Sequence, residues 1–99
     1  MKITEVKTFP VFHGSRNYLF VKIETDEGIY GIGEFGLTWR EQAGIGAINH
    51  MNSDLIGQDP LNIERIWQTI FRGDFFPGGR INMAAQSAID IALWDIKGK

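Results

Sequence analysis

The side chains that could act on a ligand are few in this chain, and most stand apart from one another. Asp90 and Asp95 invite a metal or an acid–base pair. Both lie in a stretch of helical periodicity, where a separation of five residues turns them roughly 140° apart, so they cannot share one ion. Each reads instead as a solvated charge or as half of an ion pair with a neighbouring element. Glu34 ends a strand-like run with no second carboxylate or histidine at ligand spacing, and His50 falls mid-helix as a surface residue. Cysteine is absent, and there is neither a His-Glu-x-x-His pair nor a nucleophile elbow. No metal site is visible. Phe76-Pro77-Gly78-Gly79-Arg80 could cradle an anion at a helix N-terminus, but it lacks the Gly-Lys-Ser/Thr ending of a phosphate loop and reads as a tight connection. Recognition chemistry is better served by His13-Gly14-Ser15-Arg16-Asn17. An amide both donates and accepts, which suits a polyol hydroxyl, and a guanidinium suits a carboxylate. On residue types alone this segment is also what an exposed polar turn before a strand looks like.

The elements that must position these groups follow from periodicity. Residues 2–12 carry Ile3, Val6, Phe9 and Val11 with imperfect alternation, and Pro10 marks an edge or an irregular end. In residues 18–25, Leu19, Val21 and Ile23 share one face and Lys22 and Glu24 the other. Asp26-Glu27-Gly28 supplies turn chemistry, and residues 29–35 complete a three-stranded antiparallel meander. Gly31 and Gly33 inside that third strand point to close approach by another element. The pattern then turns helical. Thr38-Trp39-Arg40-Glu41 has capping-box spacing, followed by a stripe of Ile45, Ile48, Met51 and Leu55. Asp59-Pro60 opens a second helix, with proline in its first turn. Ile63, Ile66, Trp67, Ile70 and Phe71 fit the helical template, and Gly73 ends it.

The third helix, residues 81–97, is unusually broad in its apolar face. Ala85, Ala88, Ile89, Ala92, Leu93 and Ile96 form one stripe, and Ala84 and Ile91 widen it beyond what one small sheet covers. Such a face suits a helix held between two layers, of which these 99 residues supply one. A second layer is expected downstream in a longer protein or on a partner chain. The fold class is therefore α+β, one domain over residues 1–99, with a three-stranded antiparallel meander followed by about three helices.

Composition narrows the function classes. The chain is 43% apolar and 22% charged with a net charge of −2, the range of an ordinary soluble domain. Its charges are interspersed, so neither nucleic acid nor a membrane surface is an expected partner. No signal peptide or membrane span is visible, and the absence of cysteine fits a reducing compartment, so a cytoplasmic protein is expected.

Three segments together resemble the mandelate racemase and muconate lactonizing enzyme branch of the enolase superfamily. They are Val21-Lys22-Ile23-Glu24-Thr25-Asp26-Glu27-Gly28-Ile29-Tyr30-Gly31-Ile32-Gly33-Glu34, Leu55-Ile56-Gly57-Gln58-Asp59-Pro60, and, most specifically, Ser87-Ala88-Ile89-Asp90-Ile91-Ala92-Leu93-Trp94-Asp95-Ile96-Lys97-Gly98-Lys99. The likeness spans essentially the whole chain in the family's order and spacing, and is nearest in feel to mannonate- and galactonate-type sugar-acid dehydratases.

The resemblance implies the N-terminal capping domain of a two-domain enzyme. A following (β/α)₈ barrel, absent from this chain, would hold the active site at the C-terminal ends of its strands. It implies Mg²⁺-assisted removal of a proton alpha to a carboxylate, with dehydration the leading outcome and racemisation or epimerisation the nearest variant. In such enzymes the metal ligands and bases belong to the barrel, so no catalytic or metal-binding residue is expected here and the chain alone should be inactive. Two loops of the cap would contact a sugar-acid substrate. The first contributes Asn17, Arg16 and His13, with Arg16-Asn17 resembling the place where mannonate dehydratases contact the sugar acid. The second contributes Trp39 and Arg40, although Thr38 has a simpler role as a helix cap and Trp39 could pack beneath that helix. A homo-oligomer is implied as well. The alternatives are a stand-alone module that self-associates through its third helix, and one half of a split enzyme assembled with a separate barrel.

Overall fold

The computed structural model describes residues 1–13, 16–36, 40–73 and 79–99, with side-chain packing at 1–11, 18–36, 40, 42–72 and 79–99. Three strands, β1 (Ile3–His13), β2 (Arg16–Thr25) and β3 (Tyr30–Phe35), form an antiparallel sheet in the order β1-β2-β3. Three helices, α1 (Glu41–Leu55), α2 (Ile63–Gly73) and α3 (Arg80–Gly98), follow.

The central strand β2 buries Leu19, Val21 and Ile23 and turns Lys22 and Glu24 to the opposite face, as period-two alternation requires. The irregular alternation of β1 has a physical cause. Ile3 pairs with Thr25 but Glu5 pairs with Glu24, so Thr4 is an extra residue in a bulge. That bulge lets Ile3 and Val6, three apart, both face the core. Pro10 is accommodated because β1 is an edge strand. The β2–β3 turn places Gly28 at φ 80°, and the Lys2 backbone N–H donates to Asp26 Oδ1 at 3.0 Å, tying the N-terminus to this turn.

Helix α3 lies across β3, and the two glycines explain how closely. A Cβ at Gly33 would collide with the carbonyl oxygen of Ala88, and one at Gly31 with that of Ala92. Ala85, Ala88, Ile89, Ala92, Leu93 and Ile96 are buried along this contact. Asp95 fastens the same pair of elements: its Oδ2 accepts the Ile32 backbone N–H at 3.0 Å and pairs with Lys99 Nζ at 3.3 Å. The Ile32 N–H first, then Lys99, holds this carboxyl below the usual aspartate range. A group with a depressed folded-state pKa contributes stability that is present at neutral pH and lost as pH falls through that value. Asp95→Asn should therefore lower the melting temperature at pH 7, and the gap from wild type should close in melts run at progressively lower pH, below the ordinary aspartate range.

Two helix starts differ from the sequence expectation. α1 begins at Glu41 with Arg40 at its N-cap and no side-chain cap hydrogen bond, so the capping-box spacing from Thr38 does not mark the helix boundary. Asp59-Pro60 does not open α2. Asp59 Oδ1 accepts the Leu61 N–H at 2.9 Å and the Asp59 carbonyl accepts the Asn62 N–H at 3.1 Å, closing a turn with Pro60 inside it. The helix starts at Ile63. Ahead of this turn Gly57, at φ 87°, exchanges backbone hydrogen bonds with the start of β1: Gly57 N–H to the Ile3 carbonyl and Ile3 N–H to the Gln58 carbonyl, both at 2.9 Å. The Leu55–Pro60 motif is thus a structural clasp.

All three helices stack on one side of the sheet. Ile48, Met51 and Leu55 of α1 and Ile63, Ile66 and Ile70 of α2 complete the core, and the buried Gln86 donates to the Trp67 carbonyl at 3.0 Å, linking α3 to α2. The outer side of α3 is left uncovered by the described residues. Ile91 is 49% exposed and Trp94 51%.

Candidate functional site

The sheet topology decides which polar segments meet. His13 pairs with Arg16 and Phe12 with Asn17 at the closed end of the β1–β2 hairpin. Leu19, two residues further along β2, pairs with Phe35, the last residue of β3. The hairpin end and the segment leaving β3 therefore occupy the same end of the sheet, about 7 Å apart along the strand direction. Gly36 and Arg40 flank that second segment, and both are exposed. The Arg40 carbonyl accepts the Gly44 N–H at 2.8 Å in the first turn of α1. Gly44 is small because the Phe35 ring occupies the space of a side chain, with a Cβ there 2.8 Å from ring carbons. That contact fixes how α1 leaves the end of the strand.

Helix α3 brings a third segment to this place. Ala88 stands over Gly33 and Ile96 over Gly31, so α3 runs antiparallel to β3 and its first turn points toward the same end. Gly79, at φ 87°, and Arg80 lie there, both exposed. Sequence reading did not group Arg80 with the two loops. The signal that could have done so was the match of Gly31 and Gly33 to the small residues Ala92 and Ala88, which sets the direction of the helix.

Of the five residues assigned to substrate contact, Arg40 is described in full, and the backbones of His13, Arg16 and Asn17 sit at the hairpin end. The side chains of those three, and Trp39 altogether, lie outside the described residues, as do residues 74–78 of the glycine-rich connection. The chemistry this end can offer is recognition: backbone groups and polar residues from three separate segments, on rigid supports.

The remaining titratable groups are dispersed. Asp90 sits in a cleft of about 320 Å³ with Glu64, Trp67 and Trp94, where burial pushes its carboxyl up while a Trp94 side-chain hydrogen bond pulls it down. Asp95 is committed to Ile32 and Lys99. Glu34 and His50 are exposed. Among the described residues, no group of three or more histidine, aspartate or glutamate side chains could hold a metal ion. No helix among them is long and apolar enough to cross a membrane.

Residues 6–99 match the N-terminal domain of the mandelate racemase / muconate lactonizing enzyme family. The chain belongs to that family. A D-galactonate dehydratase of Variovorax paradoxus is 46% identical over 99 residues, all of this chain and 25% of that protein. Among solved structures, an enolase-superfamily member from Salmonella Typhimurium superposes with a TM-score of 0.93 at 46% identity, covering 98% of this chain and 26% of that one. An enolase from Pantoea ananatis with bound D-gluconate and Mg superposes at 0.92 and 43% identity, covering 98% of this chain and 24% of that one. The chain thus spans about a quarter of the length of the relatives it matches. The family's N-terminal domain accounts for all six described elements.

Proposed function

We propose that this domain is the specificity cap of a Mg²⁺-dependent sugar-acid dehydratase. In this reading a (β/α)₈ barrel carries the carboxylates that hold Mg²⁺ and the bases that remove the proton alpha to the substrate carboxylate. When bound, the metal supplies charge stabilisation to the resulting enediolate. The cap supplies binding and exclusion of water. Asn17 would donate to and accept from a sugar hydroxyl, and Arg16 would pair with the carboxylate or a hydroxyl. His13 would add a donor from the hairpin, Trp39 would seal the mouth, and Arg40 would meet the anionic substrate from the second loop. Racemisation or epimerisation would draw on the same cap with different barrel groups. The whole enzyme is read as a cytoplasmic homo-oligomer.

The observation that carries this reading is the register that sets the backbones of His13, Arg16 and Asn17 at the end of the sheet where β3 finishes at Phe35, within a chain whose 99 residues align with 25% of a D-galactonate dehydratase. By itself the chain should give no keto-acid product from galactonate, gluconate or mannonate, with or without Mg²⁺. With the cap grafted in place of the matching quarter of that dehydratase, Asn17→Ala should lower kcat/KM for the preferred acid by at least about tenfold, the loss of one or two hydrogen bonds to substrate. Its melting temperature should stay within about 2 °C of the unsubstituted graft, a surface-sized effect. An unchanged kcat/KM across the acids would remove Asn17 from the site.

A further inference from the structure

We propose that the cleft between α2 and α3 is the seat of a guanidinium group, an arginine side chain presented by the domain that covers the outer side of α3. The cleft is lined by Ile63, Glu64, Trp67 and Gln68 from α2 and by Asp90 and Trp94 from α3. It therefore combines two indole rings with two carboxylates and a carboxamide. At about 320 Å³ it stands at the foot of the roughly 300–1,000 Å³ range of ligand pockets, room for a side-chain head group rather than a cofactor.

The aromatic walls are held in place by the domain itself. Trp67 stacks on Phe71 with ring centroids 5.0 Å apart and planes at 21°, and the buried Gln86 amide donates to the Trp67 carbonyl at 3.0 Å. The Trp94 side chain is hydrogen-bonded to Asp90, one turn back along α3. That bond uses one of the roughly four acceptor positions of a carboxylate. Burial strips part of the hydration from Asp90, and no described residue forms an ion pair with it or with Glu64. Arg65 and Lys97 do not fill the gap. They line an adjoining hollow, where Lys97 Nζ lies 4.8 Å from the Trp94 ring centroid. Indole walls select a cation that is planar and weakly hydrated, and carboxylates select one with several N–H donors. A guanidinium meets both requirements, whereas an ammonium gives up more hydration on entry and an anion meets like charge.

The occupant follows from where the cleft opens. Trp94, 51% exposed, belongs both to the cleft wall and to the side of α3 left uncovered by the described residues, where Ile91 is 49% exposed. Whatever covers Ile91 and Trp94 therefore overlies the cleft. This step rests on the proposed function, in which the cover is the barrel. A charged anchor then fixes the register of an otherwise apolar contact.

The probe is Nα-acetyl-arginine methylamide, with its citrulline counterpart as the neutral isostere. In the free chain the indole N–H signals of Trp67 and Trp94 should shift together and saturate in the millimolar range, while that of Trp39 stays in place. The citrulline compound should bind at least about tenfold more weakly. Asp90→Asn keeps an acceptor for Trp94 and removes only charge. It should weaken arginine binding about fivefold or more, with an unchanged circular dichroism spectrum. Melting identifies the source of the arginine. Asp90→Asn should leave the Tm of the free chain within about 2 °C or raise it. In the galactonate dehydratase graft it should lower Tm by at least about 4 °C, because the barrel's arginine loses its partner. No saturable shift, equal binding of the two compounds, or binding indifferent to Asp90→Asn would overturn the cleft as a cation seat. A folded graft as tolerant of Asp90→Asn as the free chain would overturn the barrel as the source. Neither arm reads turnover, so an inactive graft and a failed titration are separate results.

Discussion

Gly33→Val should leave the chain unfolded at room temperature, and Gly33→Ala should cost about 3 kcal/mol or more. The collision here is with backbone: the Ala88 carbonyl oxygen occupies the place of a Cβ, and the Ala88 carbonyl carbon lies 2.9 Å from it. A flexible side chain could swing away, but the helix backbone can move only by lifting α3 off β3, which opens the contact that buries Ala88, Ile89 and Ala92. A domain of this size has a total stability on the order of 5–15 kcal/mol, so even the alanine variant should melt roughly 12–24 °C lower. Gly46→Ala is the matched control. It lies within α1 with nothing inside 4 Å of the added carbon, and alanine there should stabilise by about 0.5–1 kcal/mol. Urea titrations of the three variants would check both signs.

This contact also marks where the amino-acid pattern was sufficient. Two glycines alternating in a strand and a helix ridge of alanines are complementary shapes, and each implies a close neighbour without any knowledge of the other. The strand faces of β2 and the apolar stripes of α2 and α3 were legible for the same reason: burial imposes periods of two and 3.6. Local boundaries were less so. Proline's fixed φ suits the first turn of a helix and the second position of a type I turn equally, and only the hydrogen bonds from Leu61 and Asn62 to Asp59 distinguish them. The spacing of Thr38 and Glu41 likewise matched a capping box, whereas the helix takes Arg40 as its N-cap. For the candidate site, residue types pointed to polyol and carboxylate recognition. That the backbones of His13, Arg16 and Asn17, together with Gly36, Arg40 and Arg80, share one end of the sheet required the strand register and the direction of α3, which no single segment encodes.

The second large effect should separate two neighbours on α3. Leu93→Ala, at a fully enclosed position, should cost about 2–5 kcal/mol in the chain by itself. Ile91→Lys, two residues away and half exposed, should change the same melt by no more than about 0.5 kcal/mol. In the grafted dehydratase the order should reverse in its consequences. A barrel seated on the outer side of α3 would bury Ile91 and Trp94, and a lysine there would carry an unpaired charge into the interface. We therefore expect Ile91→Lys to abolish soluble, active graft while leaving the chain alone intact. A graft that tolerates Ile91→Lys with full turnover would place the barrel elsewhere.

The measurement that bears most directly on the account is Mg²⁺-dependent dehydration by that graft, with this chain replacing the aligned quarter of a D-galactonate dehydratase and the free chain assayed beside it. The graft should form keto acid, lose that activity on removal of Mg²⁺, and the chain alone should form none. A folded, soluble graft that turns over no sugar acid, or turnover by the free chain, would contradict the proposed function.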